Sequence, residues 1–172
     1  TVTDDNGCIA RHTFTISEPA ALSASITAQS NFNGVGISCN GGSNGTATAA
    51  GANGTAGYTY SWNTTPQAQT NAQATGLAAG TYICTVTDDN GCTVITAAII
   101  TEPAAALTAV ITQTNSILCN GDDDGELTGT ITGGTSTYDY VWGTTAGGAE
   151  HATVNNSGLT NVQSGLEPDE YF

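Results

Sequence analysis

Two imidazoles, His12 and His151, are the side chains of this chain suited to moving protons near neutral pH. A nucleophilic triad would need one of them beside a recurring Ser or Cys, and neither is so placed, so no catalytic residue is assigned. The acids fall mainly in turns, Asp4, Asp5, Asp88 and Asp89 among them, where hairpin tips supply no cleft to raise the pKa of one member of a carboxylate pair. There is no Lys, which removes Schiff-base and amine-nucleophile chemistry. One oxygen-rich stretch stands out. Asn120, Asp122, Asp124 and Gly125, with Glu126 next, match the opening of a calcium loop, although Ile131 stands where its bidentate twelfth-position Glu belongs. A calcium ion at Asn120, Asp122 and Asp124 is therefore an expectation, and no other cofactor is implied. The corresponding stretch Asn40, Gly42, Asn44, Gly45 carries no charge.

Four of the five cysteines recur in register, Cys39 and Cys119 in a CNG string, Cys8 and Cys92 in an NGC string. No CxxC pair or nearby His completes a tetrahedral metal site, so these four are disulfide candidates. Four N-x-S/T sequons, at Asn44, Asn53, Asn63 and Asn155, would matter only in a eukaryotic secretory path.

The elements that position these residues repeat. TVTDDNGC occurs at Thr1–Cys8 and at Thr85–Cys92; SEPAALSASIT (17–27) answers TEPAAALTAVIT (101–112); SCNGGSNG (38–45) answers LCNGDDDG (118–125); YTYSW (58–62) answers YDYVW (138–142); GLAAGTYI (76–83) answers GLEPDEYF (165–172). Such self-similarity marks an array of supersecondary units. It predicts the final strands of a preceding or neighbouring-chain module in residues 1–18, a complete repeat in 19–102, and a second repeat lacking its last strands in 103–172. Two explanations of the open ends stand together. The chain is a window on a longer array, or the leading strands of one chain complete the trailing module of the next by β-augmentation.

Each unit reads as short strands. Leu22, Ala24 and Ile26 alternate with Ser23, Ser25 and Thr27, the period-two pattern of a strand with one wet face, and no 3.6-residue apolar stripe is sustained. Gly- and Asn-rich breaks every 8 to 14 residues or so fit a β-sandwich, and Asn90-Gly91 suits a tight hairpin. Residues 143–164 fall outside the pattern and read as an extended loop. Tyr82, Cys84 and Val86 share a face, with Tyr82 two residues before Cys84 as in the tyrosine corner of immunoglobulin-like sandwiches, and Trp62 falls where their core Trp stands. The fold class expected is all-β, as tandem immunoglobulin-like β-sandwich modules. No Cys occurs in 46–50 to pair Cys84, which reads as a buried small hydrophobe. In such a sandwich the CNG and NGC turns lie at opposite ends, roughly 25 Å apart across an eight-residue strand, against the ~4.4 to 6.8 Å that a disulfide spans. A bond within one unit then requires a short or broken first strand; a bond between adjacent units, or free thiols, are the alternatives.

Composition bounds the job. One basic residue against 15 acids gives a net charge of −14, which repels phosphate backbones and anionic lipid, so neither nucleic acid nor membrane surface is an expected partner. The longest apolar run, Val94 to Ile100, is interrupted by Thr96 and is too short to span a bilayer, so no membrane insertion is expected. Without an initiator Met or a signal-like start, the chain reads as a mature or excised piece of something secreted or larger.

With EPA (18–20, 102–104), SCNGGSNG, YTYSW, GLAAGTY and TVTDDNGC in hand, the units resemble the SprB repeats of gliding-motility adhesins and related giant surface proteins of Bacteroidota. The resemblance implies an immunoglobulin-like domain, export to the bacterial cell surface, typically by type IX secretion, and a non-catalytic role in a stalk, filament or adhesin. Expected partners are neighbouring copies of the module, within a long chain or head to tail between chains. The alternatives are a carbohydrate-binding module using 143–164 with Tyr138 and Tyr140, or an accessory sandwich of a large secreted enzyme. The surface ligand stays unassigned.

Overall fold

Thr, Val and Ile at alternating positions favour pleated strands, and the computed structural model, which describes residues 1–64, 67–143 and 150–166 (150–157 through their backbone), contains strands and no helix among them. A small hairpin, β1 (Val2–Thr3) and β2 (Ile9–Ala10), comes first. The first full unit is next: β3 (Ser23–Gln29), β4 (Gly45–Ala52), β5 (Thr59–Trp62), β6 (Gln73–Leu77), β7 (Gly80–Thr87) and β8 (Thr93–Ile100). The second has β9 (Thr108–Asn115), β10 (Gly125–Thr132), β11 (Tyr138–Gly143), β12 (Glu150–Ser157) and β13 (Thr160–Leu166).

In the first unit two antiparallel three-stranded sheets, β3-β4-β6 and β5-β7-β8, close on one core. It holds Ala47 and Ala49 from β4, Ala74 and Leu77 from β6, Trp62 from β5, Cys84 and Val86 from β7, Ala98 and Ile100 from β8, and Ile37. Small alanines on one sheet leave the space that the Trp62 ring fills. Its indole N–H donates to Asn71 O at 3.0 Å, so the polar end of a buried ring is satisfied. Trp62 lies opposite Cys84 in the β5–β7 register, and the Tyr82 hydroxyl reaches back to Ala78 O at 3.1 Å, the upstream backbone contact expected of a tyrosine at that corner.

The second unit repeats the first sheet as β9-β10-β13. Gly125 pairs Leu166 as Gly45 pairs Leu77. A β-carbon at either glycine would lie 2.7 Å from the carbonyl oxygen of its partner leucine, so a close approach of backbones fixes glycine at both positions. Residues 143–164 are not an extended loop. Their described part builds β12, a hairpin partner of β11, and most of β13, the counterpart of β6. Polar Thr, Asn and Gln mask the strand signal there, because both faces of β13 read alike. Ile131, Tyr140 and Trp142 form the second core.

Trp62→Ala should cost about 3–5 kcal/mol in urea unfolding, as expected for a large side chain removed from a closed core. Gly45→Ala and Gly125→Ala should each cost about 1–3 kcal/mol, because a backbone carbonyl blocks the added methyl. Unchanged midpoints would show these sites to be slack.

Candidate functional site at the unit junction

A carboxylate organises the turn between β7 and β8. Asp88, buried, accepts Cys92 N at 2.8 Å and Asn90 N at 3.1 Å on Oδ1, and Thr55 N at 2.9 Å on Oδ2. Asn90 Nδ2 donates to Thr55 Oγ1 at 2.7 Å. The turn is thereby tied to the 53–57 loop. Chiefly the Thr55 amide, with those of Cys92 and Asn90, holds the Asp88 carboxyl below its ordinary pKa against the opposing effect of burial.

At the other end of the unit the CNG loop grips the connection to the next. Asn40 Nδ2 donates to Pro103 O at 2.8 Å, Gly41 N donates to Glu102 Oε2 at 2.5 Å, and Gly36 N donates to Thr101 Oγ1 at 3.2 Å. Asn33 Nδ2 reaches Ser136 O of the second unit at 2.6 Å. Below this clamp lies a cleft of about 510 Å³, lined by Ser38, Cys39 and Asn40 on one side and by Gly134, Thr135 and Thr137 of the second unit on the other.

Cys8, Cys39, Cys92 and Cys119 are exposed and free, and Cys84 is free and buried. Burial pushes the Cys84 thiol up, only partly offset by a hydrogen bond involving the Ser61 backbone, which makes it a poor nucleophile. Cys39 belongs to the clamp end and Cys92 to the Asp88 end, with all eight residues of β8 between the two turns. A bond within the unit would have to span roughly 25 Å. Asp124 Oδ1 accepts Leu118 N at 3.2 Å, as Asn44 Oδ1 accepts Ser38 N at 3.2 Å. Asp122 N donates to Cys119 O. Asn120 matches the clamp residue Asn40. Among the described residues, no three His, Cys, Asp or Glu side chains gather as a metal site.

Tyr138 and Tyr140 turn their hydroxyls inward, to Gly133 O at 2.7 Å and Gly158 O at 3.2 Å. Burial, with Tyr138 nearby, raises the Tyr140 pKa. His12 stacks edge-on against Phe14; the side chain of His151, like Thr144 to Ala149, lies outside what is described. No described helix is long and apolar enough to cross a membrane. The clamp and the Thr55 contact escape motif reading because their partners lie far apart in sequence. The recurrence of Thr55 as Thr135, and of Asn40 as Asn120, is the signal that could have found them.

Because the folded pKa of Asp88 is depressed, the unfolded chain binds more protons between the two values. The contribution of Asp88 to stability is present above the ordinary carboxylate range, about pH 4, and disappears as pH falls through the lower folded value. Urea unfolding between about pH 5 and 2 should show this loss, and Asp88→Asn should remove that component of the slope. An identical pH profile for the variant would sink the assignment.

The SprB repeat family model matches residues 33–66 and 111–147. A comparison with curated proteins found no match, and neither did one with solved structures. The first matched stretch holds the CNG clamp, the Thr55 loop and Trp62; the second holds their counterparts Asn120, Thr135 and Trp142. The chain carries two SprB-type repeats.

Proposed function

We propose that the chain is a non-catalytic structural segment of a bacterial cell-surface adhesin, its units joined end to end as part of an extracellular stalk or filament exported by type IX secretion. SprB repeats are structural repeats of cell-surface proteins. The observation that carries the reading is the clamp, because both of its halves recur. CNG appears in each unit (39–41, 119–121), and Glu-Pro precedes the first strand of each (18–19, 102–103). Any unit can therefore hold the next as the first holds the second. An immunoglobulin-like arrangement suits this use, since chain entry before β3 and exit after β8 lie at opposite ends of the sandwich.

Surface chemistry agrees with a spacer. Charged residues are 9% of the chain, and the outer face of β3 carries Ser23, Ser25 and Thr27, which bond water without charge. A module of this kind, with its thiols at the ends, is open to covalent stapling between neighbours.

Small-angle scattering from arrays of two, four and eight units should give a longest dimension that grows linearly with unit number. Asn40→Ala with Glu102→Ala, made in every repeat, should convert this to growth nearer the square root of unit number, as flexible joints do. Cube-root growth in the native array, the mark of a compact body, would overturn the reading.

A further inference from the structure

Alternation along β7 and β8 sends Tyr82, Cys84, Val86, Ala98 and Ile100 towards the first core and the residues between them outward. Thr81, Ile83, Thr85 and Thr87 face out from β7, and Thr93, Ile95, Ala97 and Ile99 from β8. Ile83, Ile95 and Ile99 are 41%, 67% and 65% exposed. The repeat pattern does not demand them. Residues 1–20 align without a gap on 85–104, through the shared TVTDDNGC and Glu-Pro-Ala, and that copy has Arg11, Thr13 and Thr15 in place of Ile95, Ala97 and Ile99.

The β7–β8 ladder sets these side chains in rows. Thr81 pairs Ile99, Ile83 pairs Ala97 and Thr85 pairs Ile95. Each of three successive rows, roughly 7 Å apart, therefore holds one isoleucine beside one smaller side chain, and the isoleucine changes strand from row to row. A two-fold axis parallel to the strands and midway between them lays β7 of one copy over β8 of another. Every isoleucine is then seated on the smaller residue of its own row: Ile83 on Ala97, Ile95 on Thr85, Ile99 on Thr81. An axis across the strands would instead set Ile83 on Ile83 and Ile95 on Ile99. Sheets packed face to face with their strands nearly aligned stand about 10 Å apart, the distance at which such side chains interdigitate.

Charge selects the same face. Two copies carrying −14 each repel, yet the outer face of this sheet, completed by Thr59 and Ser61 of β5, carries no charged side chain among the described residues. We infer that the outer face of β7 and β8 is a docking surface for the same face of a second copy, the two chains lying side by side and pointing the same way. The contact is isologous, so it closes as a pair. Three rows of side chains cover less than the roughly 800 Å² per partner of a stable complex, which makes the pair weak and reversible. This lateral contact goes beyond the end-to-end reading, and the clamp takes no part in it.

Sedimentation equilibrium of the full chain under reducing conditions tests it. The weight-average mass should rise from 17.2 kDa towards that of a dimer as concentration approaches about 1 mM, and added salt should strengthen the association by screening like charges. Ile95→Arg with Ala97→Thr and Ile99→Thr, the residues of the other copy, should keep the chain monomeric with its urea midpoint unchanged. Ala97→Ile should weaken pairing by about tenfold or more despite adding apolar surface, because two isoleucines then collide within a row. Adding Ile83→Ala to it should restore pairing, since the two residues have only exchanged places. A chain monomeric throughout, a triple variant that pairs as well as the parent, or tighter pairing by Ala97→Ile, the sign of an unfitted patch open to unlike apolar partners, would each overturn the docking. None of these outcomes alters the linear growth expected of the arrays, which tests the clamp alone.

Discussion

The pairing of β5 with β7 is the interaction on which the first unit depends. A sandwich of two three-stranded sheets has only a small core here, much of it alanine, and the large apolar contribution comes from Trp62 lying against the sheet that this pairing assembles. Burying a large aromatic stabilises by the area removed from water, and the ring stays covered only while the strands beside it hold register. Tyr82, Cys84 and Val86 enter as a set, since slipping β7 by one residue would turn all three outward. The Asp88 turn then fixes where β7 ends and β8 begins, and Thr55 fixes that turn to the opposite sheet.

In the second unit no described strand makes the corresponding pairing. Its first sheet keeps the register of its counterpart and its tryptophan stays buried, with the indole N–H on Asn161 at 2.8 Å. Yet Leu107, Val110 and Ile111 stand in water. In the first unit β8 packs over the corresponding strand, β3.

Much of this was legible in residues alone. The repeat, the strands, the inward Trp62 and the Tyr82 corner come from period-two alternation and recurrence, which are local signals. The strand at Thr160–Leu166 was not legible: Asn161, Gln163 and Ser164 give it no apolar alternation, and only its pairing with β10 defines it. The junction was hidden for a different reason. Asn40 finds Pro103, and Asn33 finds Ser136, across 63 and 103 residues, and Asn33 sits in a stretch of the first unit with no counterpart in the second. Asp124 and Asn44, at equivalent places in the two CNG stretches, each accept a backbone amide, from Leu118 and from Ser38.

The placement of β3 and β8 also has a mechanical meaning. Tension along a series of such units would enter before β3 and leave after β8, at opposite ends of the sandwich. The ladder bonds joining these strands to β4 and β7 lie across the strands, so they would be loaded side by side rather than peeled one after another. A tether built this way yields by a whole unit at a time, lengthening in steps while its neighbours hold.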